Sequence, residues 1–473
     1  MTDSPHVLFL TGRLAEPALR RTLQGMTEPG FTWQIREMGV SVAALMTTSL
    51  IGRRLFGAPE LAGADRVILP GRCRGDIDEL AARLGVPVER GPEELKDLPR
   101  YFGRQARPID LTAHDMLIFA EIVDAPMLDV DGILVRARQF RAAGADVIDL
   151  GGLPATPFAH LADAVKALHD EGMKVSVDSM DREELLAGAA AGADYLLSFN
   201  EHTLADLGDS KATPILVPAE PGDLASLLRA IDAREAAGLP YLADPILDPV
   251  HTGFTESIVR YRDLRRQRPD APILMGVGNL TELTHVDTAG VNMLLLAIAS
   301  ELAISAILTT QVSPHACRAI AEADHARRIL YAARLMGGLP RHVSDALMML
   351  HERDPFPDSA AEIRELAAQV RDPNWRIQTS PSGIHAYNRD GLLEHQDPFD
   401  FWPSLGVGDD ASHAFYLGVE LARAQIAWQL GKRYHQDNPL HWGVASAAPS
   451  ADPSAAAPTA ATGHRHAARR HSR

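Results

Sequence analysis

Cysteine is almost absent from this 473-residue chain: Cys73 and Cys317 are the only two. That excludes a disulfide scaffold and a cysteine-based zinc cluster, and it fits a reducing compartment. Basic charge is scarce as well, with 46 Lys and Arg against 62 Asp and Glu, a formal net charge of −16. A field of that sign repels phosphate backbones and anionic lipid heads, so no nucleic-acid or membrane partner is expected. Long apolar runs are missing too. The longest, Val291 to Leu308, is interrupted by Ser300 and Glu301, short of the ~18–20 residues that a membrane span requires. The opening MTDSPHVLFLTG carries Asp3 and no basic region ahead of its short apolar run, unlike a signal peptide. A cytoplasmic location is expected. No HxH, HExxH or CxxC spacing occurs at the ends of its strand-like segments, so a transition metal is not indicated there.

What is present is a regular alternation of strand-like and helix-like segments. At roughly 100–200 residues per domain, the length suits about three domains. Residues 1–108 read as a Rossmann-like parallel α/β domain with strands HVLFLTG, FTWQIREM, DRVILPG and VPVERG. Gly12 and Gly71 follow two of these strands without a GxGxxG or P-loop pattern, so they read as tight turns and not as a phosphate cradle. The linker KDLPRYFGRQARPIDLT leads to residues 109–338. There, eight apolar strands begin near Met116, Asp146, Lys174, Tyr195, Thr213, Tyr241, Pro272 and Ala303. Most are separated by one amphipathic helix; the fourth link, EHTLADLGDS, is short. Eight such units in about 220 residues predict a TIM barrel, with an open sheet as the alternative. Residues 339–444 predict an α+β module, beginning with helices over RHVSDALMMLHERD and EIRELAAQV and ending on the helix SHAFYLGVELARAQIAWQLGKRY. The Ala/Pro/Ser-rich tail, 445–473, predicts disorder.

In a TIM barrel, chemistry sits at the carboxyl ends of the strands. Those ends carry Glu121, Asp149, Asp178, Asn200, Asp244 and Asn279, with Thr309 and Thr310 last. One such residue is most simply a turn former. Six at one mouth argue for a ligand, because a buried ring of unpaired carboxylates is costly without one. Carboxylates and carboxamides suit a neutral heterocycle with an N–C–NH₂ edge, since a carboxylate accepts two parallel hydrogen bonds and an Asn both donates and accepts. Pterin and guanine share that edge.

The segments ADVIDLGGLPATP, VSVDS and GADYLLSFN resemble the pterin-binding domain of dihydropteroate synthases, whose strands run IDxGG, VDT and G-A-x-x-I-N-D. ADPILDPVHTG and GVGNLTE are similar to segments of the pterin-binding methyltransferases, which share the barrel. The resemblance covers roughly Asp115 to Gly338. It implies that Asp178, Asn200 and Asp244 hold the pterin ring, with Asn279 and Gly276 beside it, Asp149 in the substrate-binding set, and Asp248 as an alternative to Asp244. Glu121 falls where synthases carry an Asn associated with Mg²⁺ and diphosphate. The resemblance thus makes Glu121 the candidate metal ligand, Mg²⁺ the expected cofactor, and Asp178, Asp244 and Glu121 the catalytic set.

Synthase motifs rich in Lys, Arg and His are replaced here by LPATP, GNLTE and TTQVSPH, with His315 a loose substitute, so a standard folate synthase is not expected. The lysine-poor barrel, together with Phe415 to Trp442 in the pattern FYLGxELxxAxxAxxLGKxYxQDxxLxW, resembles the synthase-related proteins of tetrahydromethanopterin-using archaea and methylotrophic bacteria. In that pattern Phe415, Leu421 and Trp428 read as packing residues. Lys432, Tyr434 and Gln436 stand evenly between packing and function. The resemblance implies a transferase that joins a hydroxymethyl-dihydropterin diphosphate to an arylamine, with a homodimer expected. The alternatives are a methyltransferase acting with a corrinoid protein and a non-catalytic pterin-binding subunit.

Overall fold

The computed structural model describes residues 4–26, 29–92, 95–103 and 109–446. Three sheets organise them. In the first, β1 (His6–Thr11), β2 (Thr32–Glu37), β3 (Arg66–Leu69) and β4 (Val88–Arg90) are parallel, in the order β2-β1-β3-β4. Each is the strand expected from its β-branched run. Odd and even positions of β1 feed different apolar clusters: Val7 and Phe9 pack with Leu19 and Leu23, whereas Leu8 and Leu10 pack with Ile51, Leu55 and Leu80. Helices therefore cover both faces of the sheet. The helix Ile77–Leu84 shows how locally its limits are set. Asp76 accepts from the amides of Asp78 and Glu79 at its start, and Gly85 ends it at φ +70°.

The second sheet contains β5 (Leu117–Ile122), β6 (Val147–Gly151), β7 (Lys174–Asp178), β8 (Tyr195–Phe199), β9 (Thr213–Leu216), β10 (Leu242–Ala243), β11 (Leu274–Gly276) and β12 (Ala306–Thr310). These are the eight expected strands, all parallel, in the order β10-β9-β8-β7-β6-β5-β12-β11. A parallel bridge between Ala243 and Ile273 joins the two edges, so the sheet closes into a TIM barrel and not an open sheet. The short fourth link forms a single 3₁₀ turn, Leu204–Leu207. Arg327 fastens the seam between the last helix and the first two strands. It is buried, donates to Met116 O at 2.5 Å and Gly144 O at 2.9 Å, and forms ion pairs with Asp146 and Asp324. No helix among the described residues is long and apolar enough to cross a membrane.

The third sheet is antiparallel: β13 (Arg376–Ser380), β14 (Gly383–Asn388) and β15 (Gly391–His395), backed by the helix Ala411–Leu430. EIRELAAQV is helical as expected, as Ala360–Gln369 with a Ser359/Glu362 capping box. RHVSDALMMLHERD is not a helix but a series of turns. Its backbone groups bond to the end of the chain instead: Lys432 Nζ and Val444 N donate to Met349 O and Ala346 O, and Glu352 N donates to Gly431 O. Phe415, expected in the core, is exposed, whereas Leu421 is buried. Lys432, fully buried, lies 4.8 Å from the centre of the Trp442 ring. Tyr434 donates to Glu420 at 2.7 Å, and Gln436 accepts from Ile377 N at 2.8 Å. Beyond residue 446 the expected tail lies outside the described residues, as do residues 104–108 of the linker.

Candidate functional site

Strand parity builds the mouth. Phe119, Val147, Leu242, Leu274 and Ala306 fill the barrel interior. With side chains alternating along a strand, the next inward positions are Glu121, Asp149, Asp244, Gly276 and Leu308. Register sets their heights. Glu121 pairs with Asp149, Asp149 with Ser176, and Gly151 with Asp178. A carboxylate at Glu121 can thus meet one at Asp178 only by crossing over Gly151. A Cβ at residue 151 would stand 2.6 Å from Glu121 Oε1 and 3.1 Å from Val123 Cα, so the second strand ends in a glycine where the first strand's glutamate lies across it.

Glu121, Asp149 and Asp178 each place a carboxylate oxygen within 4.8 Å of the others'. Asp149 is completely buried, and neither of its oxygens has a hydrogen-bond partner among the described residues. Ser176 lies across the ladder from it, close enough to lower its pKa a little, yet outside hydrogen-bond geometry. Burial, reinforced by Asp178 and Glu121, raises the Asp149 pKa far above the carboxylate range. Burial and then Asp178 push Glu121 to about 7, and burial pushes Asp178 to about 6. Isolated in this way, the three keep their protons to higher pH than ordinary carboxylates do, and a bound cation would displace those that remain.

Asp244 is the fourth carboxylate of the mouth, and it is buried. Its Oδ1 accepts from Tyr261 at 2.6 Å and from Ile246 N at 2.8 Å. Burial raises its pKa to about 6 against these two bonds and the nearby Arg260. Asp248 is committed elsewhere, to Arg260 at 2.6 Å. Asn279 Nδ2 donates to Leu247 O at 2.8 Å, tying the seventh strand's loop to the sixth's. The carboxamide oxygen of Asn200 accepts from His202 N and Thr203 N at 2.9 and 3.2 Å, forming a local turn. Thr309 is buried with an unbonded hydroxyl, and Thr310 donates to Glu282 at 3.2 Å. Gly276 leaves open space where a side chain would stand. His315 bonds Thr281 O at 3.0 Å. A cavity of about 160 Å³ is lined by Ser179, Leu185, Phe199 and Thr203, and none of the mouth carboxylates is among its lining residues.

Sequence reasoning missed Arg260 and Tyr261. Both lie on the helix Phe254–Gln267, in the segment ESIVRYRDLRRQR, where Tyr261 is the single aromatic residue among seven charged ones before and after it. Its isolation was the only available signal. Glu184 was also missed; it accepts from Ser179 Oγ at 2.6 Å and Phe158 N at 2.9 Å, joining the second and third loops.

A model described as a family of unknown function, DUF6513, matches residues 5–93. An uncharacterized protein of Methanocaldococcus jannaschii is 24% identical over 525 aligned positions, covering 92% of this chain and 99% of that protein. Among solved structures, the chain is similar to a Yersinia pestis dihydropteroate synthase bound to a pterine-sulfa conjugate. That match has 20% identity and a TM-score of 0.37, and it covers 48% of this chain and 95% of the synthase. It is also similar to the Burkholderia cenocepacia dihydropteroate synthase complexed with 7,8-dihydropteroate. There the identity is 18% and the TM-score 0.38, over 47% of this chain and 92% of that one.

Proposed function

We propose that the mouth binds a dihydropterin and that the protein is a dihydropteroate synthase-like transferase, condensing a 6-hydroxymethyl-dihydropterin diphosphate with an arylamine. The ribofuranosylaminobenzene phosphate of tetrahydromethanopterin biosynthesis is the proposed amine. The observation that carries this reading is the set of four carboxylates at one barrel mouth, Asp149 and Asp244 buried and Glu121 and Asp178 half-buried, three of them without a paired cation among the described residues. Such a set is stable when a ligand supplies N–H donors or positive charge. The IDLGG, VDS and SFN segments that furnish three of the strand ends support the pterin ring over guanine.

In this reading Asp178 and Asp244 accept the ring's N–C–NH₂ edge, with Asn200 Nδ2 and Asn279 Oδ1 at its rim. Both aspartates titrate at about 6, so they are ionised above that pH. A new bond forms from the arylamine nitrogen to the pterin methylene carbon. The C–O bond to diphosphate breaks, and the amine's proton leaves to water. The carboxylates stabilise positive charge developing on the pterin methylene in a site poor in water. The donor set fits a hard divalent cation, since the unbonded oxygens of Asp149 and the neighbouring Glu121 offer oxygen ligands only. Glu121 and Asp149 would hold Mg²⁺, which would neutralise charge on the departing diphosphate.

The test pairs calorimetry with product analysis. A dihydropterin should bind the wild type above about pH 6 and lose at least ~100-fold in affinity in Asp178→Ala, the scale of an unmade charged hydrogen-bond pair. Diphosphate should appear when both substrates and Mg²⁺ are supplied. Absence of pterin binding overturns the reading; binding without diphosphate release limits it to a carrier.

A further inference from the structure

The barrel has a second chemical end. Arg334, near the close of the last barrel helix (Ala319–Leu335), pairs with Asp115, just before the first strand. The chain therefore leaves the barrel at the amino ends of the strands, opposite the carboxylate mouth. There a cavity of about 720 Å³ is walled by parts of the chain far apart in sequence: Arg72 from the first sheet, Arg341 and Arg353 from the turns after the barrel, and Arg433, His435 and His441 from the end of the third module. In a chain of net charge −16, four arginines and three histidines face this space with only three carboxylates, Asp345, Glu352 and Asp354.

Each of those carboxylates already has a cation. Arg353 donates to Asp345 Oδ2 at 2.6 Å, Arg433 to Asp354 Oδ2 at 2.8 Å, and Glu352 lies 3.8 Å from the buried Lys432 Nζ. These pairs hold the guanidinium groups in place without using all five N–H donors of either. The position of Arg72 is a second, independent observation. The sheet order β2-β1-β3-β4 reverses direction between β1 and β3, and in doubly wound sheets the crevice outside the carboxyl ends at that reversal is where ligands bind. Arg72 lies three residues beyond the end of β3, in a turn closed by Cys73 N to Pro70 O at 2.9 Å and fixed by Arg90 Nε to Cys73 O at 2.8 Å.

We infer that this cavity is a second binding site, for a phosphorylated small molecule of nucleotide size. Arginine forks match phosphate oxygens in pairs, the volume falls within the ~300–1,000 Å³ of small-molecule sites, and the walls come from both the first sheet and the third module, so a bound anion ties the two together. The site is distinct from the mouth and does not depend on the pterin reading.

The experiment is calorimetry on the full chain, with pyrophosphate and ADP as probes at fixed ionic strength. Arg72→Ala and Arg341→Ala should each weaken binding at least tenfold, while Asp178→Asn binds as the wild type does. Circular dichroism melts verify folding. If either alanine variant unfolds, Arg72→Lys and Arg341→Lys keep the charge, lose the fork, and should still weaken binding several-fold. ADP bound more tightly than pyrophosphate identifies a nucleotide-sized occupant; equal affinities identify the phosphates alone as the recognised group. Three results would overturn the inference: neither probe binding at millimolar concentration, affinity unchanged in the arginine variants, or affinity lost in Asp178→Asn.

Discussion

Tyr261 donates its phenolic hydrogen to Asp244 Oδ1 at 2.6 Å, from the helix that follows the strand Asp244 terminates. Together with the Ile246 amide, this commits one oxygen and leaves Oδ2 without a protein partner among the described residues. Because the bond favours the ionised carboxylate, Tyr261→Phe should move the Asp244 pKa above its present value of about 6. Dihydropterin affinity measured against pH should then acquire its midpoint at more alkaline pH, with a stability loss of roughly 1–2 kcal/mol. An unchanged pH profile in a folded variant would show that Asp244 does not govern binding.

The acidic cluster makes stability depend on pH. Glu121 titrates at about 7 and Asp178 and Asp244 at about 6 in the folded protein, all raised by burial, against roughly 4 in an unfolded chain. The folded state therefore holds protons that the unfolded state has released. The contribution is full below about pH 4 and is lost as the pH rises through 6 to 7. For Glu121 the elevation corresponds to on the order of 3 kcal/mol. In chelator, the wild type should lose several degrees of Tm between about pH 5 and pH 7.5. Glu121→Gln combined with Asp149→Asn should lose much less, and added Mg²⁺ should restore the wild type only. Equal pH slopes for the two proteins would contradict the assignment.

Gly151→Ala isolates the crossing of Glu121 over the second strand. The added Cβ meets Glu121 Oε1 at 2.6 Å and the Val123 backbone at 3.1 Å, so the glutamate must move away from Asp178. The expected cost is about 1–3 kcal/mol of stability, with divalent-cation affinity reduced at least tenfold by titration with Mn²⁺ under paramagnetic resonance detection. Unaltered Mn²⁺ binding would remove Glu121 from the site.

Arg327→Ala should act on the barrel and not on the ligand. It deprives Asp146 of its cation, leaves Asp324 with Arg328 alone, and takes the donor from two carbonyls, a change that typically costs ~3–5 kcal/mol. Denaturant melts should show that loss, while dihydropterin affinity at low temperature stays within about twofold of wild type. A large affinity loss with normal stability would place Arg327 in the binding machinery instead.

Much of this was legible in the chain. Eight apolar strands, seven of them closed by a polar residue, defined the barrel and its mouth, because strand runs buried on both faces carry their own signal and inward positions recur every second residue. The same local logic failed at RHVSDALMMLHERD. Its apolar spacing is helical, but the backbone groups of Ala346, Met349 and Glu352 bond to residues 431–444, about 80 to 100 positions away, and those partners override the local preference. Phe415 failed in the opposite sense, fitting a core stripe while facing solvent.

The sequence alone determined that carboxylates gather at the strand ends. Which of them are isolated and which are paired was decided only by tertiary packing. Asp149, Asp244 and Asp248 look alike in the chain, yet one has no hydrogen-bond partner among the described residues, one is held by Tyr261, and one is neutralised by Arg260. Likewise, four arginines scattered from position 72 to position 433 have no shared pattern in sequence; they surround one cavity because the chain brings its first sheet and its last module to the same end of the barrel. Secondary structure follows from nearest neighbours and periodicity, whereas proton affinity and charge pairing depend on distances across space.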